Sequence, residues 1–259
     1  MLRCLALRML TTVLFLSLML GSPNPCQAVE SPLSPSAIVA SRDGNSLFIA
    51  CAAANHVLVF DTVSRKIARS ISVPYPPTGL ALSEDGARLY VTCADATSQV
   101  CVVDASTGRV VDQLSAGHTA MSPVISRDGK TLFVCNRFNN DVSAIDLKTK
   151  GTTRRIAVPR EPVAAGLSKD GRFLLVASSL PIGRADADFV SAAISVIDTS
   201  SHKVVKVLSL PIGGGMIHGL KMSPDGKFAV VTHLLSRFTL QPRTWIAGQS
   251  MQMRSQSSI

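Results

Sequence analysis

Short β-branched runs alternate with polar turns along most of this chain, and the turns repeat. Ser-x-Asp-Gly occurs at Ser41–Gly44, Ser83–Gly86, Ser126–Gly129, Ser168–Gly171 and Ser223–Gly226, at steps of 42, 43, 42 and 55 residues. An apolar run follows the turn at Leu47–Ala50, Leu89–Thr92 and Leu132–Cys135. A second run, beyond a polar loop, ends in Asp: Val57–Asp61, Val100–Asp104, Val142–Asp146 and Ile194–Asp198. A third follows at Lys66–Val73, Arg109–Leu114, Thr153–Val158 and Lys203–Leu210. Runs of this length and composition predict strands, and the Asp-Gly and Asp-Thr pairs between them predict turns. No sustained helical period follows the N-terminal segment.

A tandem unit of about 40 to 45 residues carrying several strands predicts an all-β fold, a β-propeller. The propeller is expected over residues 29–238 and is incomplete, with about four blades and part of a fifth. Asp61, Asp104, Asp146 and Asp198 recur once per copy. A carboxylate needed in every turn is a structural device that bonds its own backbone, whereas a catalytic one is needed once. The Asp of each Ser-x-Asp-Gly turn is read the same way.

Composition adds a compartment. Arg3 and Arg8 precede an apolar run from Met9 to Leu20, and Cys26-Gln27-Ala28 supplies a small-residue cleavage site, so residues 1–28 read as a secretory signal peptide. The run is shorter than the roughly 20 residues a membrane span needs, which leaves an uncleaved anchor as the alternative and no span after cleavage. A periplasmic or secreted protein is expected. The formal charge is +9, falling to +7 with loss of the two arginines. Lys and Arg are scattered over turn tips and strand ends, which argues against nucleic acid as a partner.

Four cysteines remain beyond the signal segment: Cys51, Cys93, Cys101 and Cys135. Cys93 and Cys101 flank one hairpin and are the disulfide candidate; Cys51 and Cys135 lie two repeats apart and read as small buried apolar residues. No Cys-x-x-Cys-His occurs, so the chain itself carries no c-type haem attachment, and no metal site is expected.

The Ser-x-Asp-Gly turn, then Leu-Tyr-Val-Thr-Cys or Leu-Phe-Val-Cys-Asn, then Val-Ile-Asp-Thr and a Lys-Val-Val run together resemble the YVTN-type β-propeller repeat over roughly Ser36 to Arg237. Ala116-Gly117-His118, Cys135 to Asp141, Arg160 to Ala165, Gly183 to Asp186 and Val231-Thr232-His233 are similar to a bacterial extracytoplasmic subgroup whose members commonly join the propeller to a cytochrome c-like region. The resemblance implies a ring of about seven blades, a redox partner or cytochrome c-like domain, and haem c in the full-length architecture. Two departures stand out. Ser178-Ser179 precede Leu180-Pro181 where an Asn-His pair is expected, and the repeats stop at Phe238.

Residues 239–259 lose strand alternation and are rich in Gln, Arg, Ser and Met. Read one frame over, permitted codons from Gln241 spell an ending, Ala-Leu-Ser-Ile-Ile-Asp, that matches Ala193–Asp198. A frameshift near Leu240 in a longer propeller gene is therefore expected; a true short product with a disordered tail is the alternative.

Residues that break the repeat are the binding-site candidates. Asn136 and Arg137 stand where the first two repeats carry Cys51-Ala52 and Cys93-Ala94. Arg160, Glu161 and His118 occupy connections between repeats, as Tyr75-Pro76 do, and propeller connections converge on the mouth of the channel. Arg137, Arg160 and Arg184 suit a carboxylate, a phosphate or a haem propionate. His118, His218 and His233 read as hydrogen-bonding residues of loops or channel, His118 and His233 at the mouth; none shows metal-ligand spacing. Gly213-Gly214-Gly215 reads as a flexible connection.

No Gly-x-Ser-x-Gly elbow, His-Glu-x-x-His or paired-carboxylate constellation appears, so no catalytic residue is assigned and enzymatic activity is left open. The expectation is a binding or scaffold module, a truncated fragment of a longer protein, that takes an unknown protein or a small anionic ligand. The alternatives are the propeller portion of a cytochrome c-associated oxidoreductase and a propeller lactonase-like hydrolase.

Overall fold

The computed structural model describes residues 32–236, apart from Ala185, Asp186 and Asp188. The expected signal peptide and the tail at 239–259 lie outside the described residues. Four four-stranded antiparallel sheets follow one another along the chain. The first holds β1 (Pro35–Ala40), β2 (Ser46–Cys51), β3 (His56–Asp61) and β4 (Lys66–Ser72); the second holds β5 (Pro77–Leu82), β6 (Arg88–Cys93), β7 (Gln99–Asp104) and β8 (Val110–Ser115). The third holds β9 (Ala120–Ile125), β10 (Thr131–Asn136), β11 (Asp141–Asp146) and β12 (Thr152–Ala157). The fourth holds β13 (Pro162–Leu167), β14 (Phe173–Ser178), β15 (Ala193–Asp198) and β16 (Lys203–Ser209). A fifth sheet pairs β17 (Gly214–Met222) with β18 (Ala229–Leu235). Among the described residues one 3-10 turn, Ala52–Ala54, is the only helical element, and no helix is long and apolar enough to cross a membrane.

The sequence pattern gives three strands per repeat, whereas each complete sheet has four. The additional strand precedes the Ser-x-Asp-Gly turn: Pro-Ser-Ala-Ile-Val-Ala, Pro-Thr-Gly-Leu-Ala-Leu, Ala-Met-Ser-Pro-Val-Ile and Pro-Val-Ala-Ala-Gly-Leu. Pro, Gly and Ala depress β-propensity, so these segments do not announce themselves. Their small side chains have a packing reason. The first strands of successive sheets lie side by side, and a Cβ on Gly79 would come within 2.5 Å of Pro123 Cδ and 2.8 Å of Ser122 N. Hydroxyls stitch this inner row together: Ser36 Oγ donates to Pro77 O at 2.6 Å, and Ala165 N–H donates to Ser122 Oγ at 2.9 Å. Gly214 and Gly215 belong to this row as the start of β17, so the glycine run is strand and not only a connection.

The turns explain why the repeat is so regular. In the first, Ser41 Oγ donates to Asp43 Oδ1 at 2.6 Å and accepts Ser46 N–H at 2.9 Å, while Asp43 Oδ1 accepts Asn45 N–H at 3.1 Å. The other four turns repeat these bonds, and in each the Gly has positive φ, near 70° to 77°. At the turn between third and fourth strands of each complete sheet, Asp61, Asp104, Asp146 and Asp198 each accept two backbone N–H groups on Oδ1. Hydrogen bonds from the turn hold the carboxyls below the usual range, with backbone N–H groups first at Asp61 and Asp146 and the Ser106 hydroxyl first at Asp104; Asp198 is lowered to about 2, chiefly by the Ser200 hydroxyl and then Ser201.

The core lies between sheets. Phe48, Val57 and Ile71 of the first sheet meet Leu89, Val91 and Val103 of the second, and equivalent clusters join second to third and third to fourth. Ala164, Ala177 and Ile194 of the fourth sheet meet Ile217 and Leu220 of β17. This serial packing of like units is a propeller-like arrangement.

Candidate functional site

The Ser-x-Asp-Gly turns join first to second strands, and the Asp turns join third to fourth, so both sit at one end of the sheets. The loops from second to third strands and the connections between sheets gather at the other end. The residue ten positions beyond each repeat Ser closes the second strand of each complete sheet: Cys51, Cys93, Asn136 and Ser178. In β18 the same offset falls on His233.

Asn136 is fully buried and fully used. Its Oδ1 accepts Gly117 N–H at 2.8 Å, and its Nδ2 donates to Asp141 Oδ1 at 2.5 Å and Ser143 Oγ at 2.7 Å. The next residues bind the two flanking connections. Asn139 Oδ1 accepts His118 N–H at 2.6 Å, and Asn140 Oδ1 accepts Glu161 N–H at 2.9 Å. Arg137 N–H and Phe138 N–H donate to Thr119 O and His118 O at 3.1 and 3.4 Å. Three segments far apart in sequence, 117–119, 136–141 and 160–161, are thereby tied into one array.

The array presents charge and aromatic surface. Arg137 donates from Nε and Nη2 to Glu161 Oε2 at 2.9 and 2.7 Å, with 37% of its side chain exposed. Its Cζ stands 5.0 Å from the centroid of the Phe138 ring, and the His118 ring meets that ring edge to face at 5.1 Å. Phe138 is half exposed. Thr119 and Glu161 have φ of 54° and 57°, a left-handed conformation that neither side chain favours. Asn140, at 56°, suits it better. The network holds this strained backbone in place.

Gly117 is required by the same crowding. A Cβ there would lie 2.3 Å from Asn139 Oδ1 and 2.6 Å from Asn136 Cγ.

Of the sequence candidates, His118, Asn136, Arg137 and Glu161 are brought together. Arg160 precedes Glu161 in the chain; its carbonyl accepts Leu180 N–H at 3.3 Å, from the next connection, and its side chain is exposed. Arg184 lies on the connection from β14 to β15, and His233 lies on β18 with Nδ1 3.1 Å from Leu234 O; both stand further round the same end. Gly117, Asn139 and Asn140 are not among the sequence candidates. The Asn-Asn-Asp run at 139–141 was the available signal.

An open groove of about 730 Å³ at the turn end is lined by Arg127, Ser168, Lys169, Asp170, Phe173 and Gly226. Arg127 donates to Lys169 O, and Asp170 is committed to Ser168 and Arg172 N–H, so the groove is a product of the repeated turns. Among the described residues no group of three or more His, Cys, Asp or Glu side chains is arranged to hold a metal ion.

All four described cysteines are free and buried. Cys93 does not sit directly opposite Cys101: Cys93 pairs with Gln99 and Cys101 with Val91, which makes the two diagonal neighbours. Their Sγ atoms are 3.7 Å apart. The contact with Cys101, then burial, raises the Cys93 thiol, and the same contact lowers Cys101. Burial pushes Cys135 up to about 12. None of these strand cysteines has the Cys-x-x-Cys-His spacing of covalent haem attachment.

No protein-family model matches the chain, and no curated protein matches it. Among solved structures the chain is similar to hydrazine synthase of Kuenenia stuttgartiensis, at 25% sequence identity and a TM-score of 0.73. The likeness covers 86% of this chain and 62% of that one, so the chain spans less than two thirds of its neighbour. The sheets and this likeness identify an all-β, propeller-like protein.

Proposed function

We propose that the chain is an extracytoplasmic binding or scaffold module built on YVTN-like repeats, and that its recognition surface is the array around Arg137. The observation that carries this reading is the contrast between equivalent positions. The first two sheets close their second strand with Cys and Ala, whereas the third spends a buried Asn, three hydrogen bonds and a strained connection on positioning Arg137, His118 and Phe138. The fold does not need that expense, since its neighbours do without it. A guanidinium backed by an aromatic ring suits a carboxylate or phosphate, free or on a partner protein. Such a group displaces Glu161 from one edge of Arg137.

The test is a titration of inorganic phosphate and citrate into the full chain, followed by NMR, beside an Arg137→Ala variant. Saturable shifts at His118, Arg137 and Phe138 that vanish in the variant are expected. Identical titrations of the two proteins would sink the assignment.

A second reading is the propeller portion of a larger redox enzyme, for which the resemblance to cytochrome c-associated propellers and the likeness to an enzyme, hydrazine synthase, are the support. Co-elution of a c-type cytochrome with the chain in gel filtration tests it; separate elution counts against it.

A further inference from the structure

Cys93 ends β6 and Cys101 lies within β7, and the loop between the strands, Ala94 to Ser98, carries the next connection. Thr119 N–H donates to Asp95 O at 2.8 Å, Ala116 N–H to Ser98 O at 2.9 Å, and Ala120 N–H to Ser98 Oγ at 2.9 Å. Asp95 and Ser98 are fastened to each other: Asp95 N–H donates to Ser98 Oγ at 3.1 Å, and Ser98 Oγ donates to Asp95 O at 2.8 Å. This loop is therefore the seat of residues 116–120, and so of His118. In the third sheet the same diagonal of the hairpin is tied by Asn136 Nδ2 to Ser143 Oγ at 2.7 Å. In the second sheet that diagonal holds two thiols 3.7 Å apart.

We propose that Cys93 and Cys101 are a modification site, joined as a disulfide that fixes the Ala94–Ser98 loop and, through Asp95 and Ser98, the backbone beneath His118. The bridge stands on the geometry alone; its bearing on recognition rests on the reading of the site given above. An S–S bond of about 2.05 Å requires the sulfurs to approach by roughly 1.7 Å. The co-reactant is a disulfide, small or protein-borne. One cysteine thiolate attacks it, forming a mixed disulfide and releasing one thiol; the second thiolate then attacks the cysteine sulfur of the mixed disulfide and releases the other thiol. The protein loses two protons and two electrons, and the co-reactant is reduced to two thiols. Both cysteines are fully buried between the first and second sheets, so the exchange occurs before those sheets close or when the hairpin loop opens.

The test uses the full chain produced in an oxidising compartment, with half of it reduced by dithiothreitol. Each sample is denatured, alkylated without further reductant and mapped by mass spectrometry, and deuterium uptake is measured on the native protein. The expected results are a cross-linked peptide joining Cys93 to Cys101, a melting temperature roughly 5 to 10 °C above that of the reduced protein, and roughly tenfold slower exchange across residues 116–120. A Cys93→Ser variant should exchange like the reduced protein under oxidising conditions, and Cys135→Ser should not. Full alkylation of both cysteines in the untreated protein overturns the bridge. A bridge that leaves exchange at 116–120 unchanged overturns the coupling. No ligand enters either measurement, so failure here is separate from failure of the binding site.

Discussion

Asn136 donates from Nδ2 to Ser143 Oγ across the β10–β11 hairpin, but one sheet later the residues at the same positions, Ser178 and Ser195, make no such bond. Ser178 Oγ turns to Pro159 O at 3.0 Å, and Ser195 Oγ is buried without a partner. A serine is too short to span the diagonal that asparagine spans.

The same substitution at these two positions should therefore have opposite consequences. Ser143→Ala removes the acceptor of a buried Asn136 N–H and is expected to cost about 1–2 kcal/mol, whereas Ser195→Ala removes an unsatisfied hydroxyl and is expected to be neutral or stabilising by up to about 1 kcal/mol. Urea unfolding of the two variants checks this, and a shared sign would contradict it.

Gly117→Ala is expected to destabilise by about 2 kcal/mol or more, since its Cβ would overlap Asn139 and Asn136, both of which are held by hydrogen bonds. Gly151→Ala is the control. Its Cβ would meet only Thr149 Oγ1, at 3.9 Å, and the change should stay within about 0.5 kcal/mol. Thermal melts of both variants decide the matter.

Acid should unfold the protein through its turns. The carboxyls of Asp43, Asp61, Asp85, Asp104, Asp128, Asp146, Asp170, Asp198 and Asp225 all lie below the ordinary value of 3.8 when folded, chiefly through hydrogen bonds from Ser, Thr and backbone N–H groups of their own turns. A depressed folded pKa stabilises above the unfolded pKa, and that contribution is lost as the pH falls through the folded one. The urea midpoint should hold steady from neutral pH to about 5 and fall between about 4 and 2. A midpoint that rises on acidification would contradict this.

How far the sequence carries the fold follows from these bonds. The Ser-x-Asp-Gly turns are legible because each needs the same hydroxyl, carboxyl and positive-φ glycine. The first strand of each sheet is hidden because close packing of the inner row selects Gly, Ala and Pro at places such as Gly79. His118 and Arg137 stand out in sequence as breaks in the repeat. The Arg137–Glu161 pair does not, because the two residues are 24 apart and meet only through the adjacency of a strand end and the next connection. Cys93 and Cys101 were legible as hairpin neighbours, but their diagonal register depends on a loop length that composition does not reveal.

Glu161→Gln separates a structural from a recognition role for that ion pair. The pair is partly exposed, so stability should change by less than about 1 kcal/mol. Phosphate or citrate binding should tighten severalfold as Arg137 is released, and Arg137→Lys should not reproduce wild-type binding because an ammonium lacks the planar fork. Calorimetric titration against both variants measures it.

The most direct test of the recognition surface is the NMR titration of the full chain with citrate, read residue by residue. Saturable perturbations confined to 117–119, 136–141 and 160–161, and absent in Arg137→Ala, are the predicted result. Perturbations centred on the Ser-x-Asp-Gly turns, or unaltered by Arg137→Ala, would contradict the placement of the site.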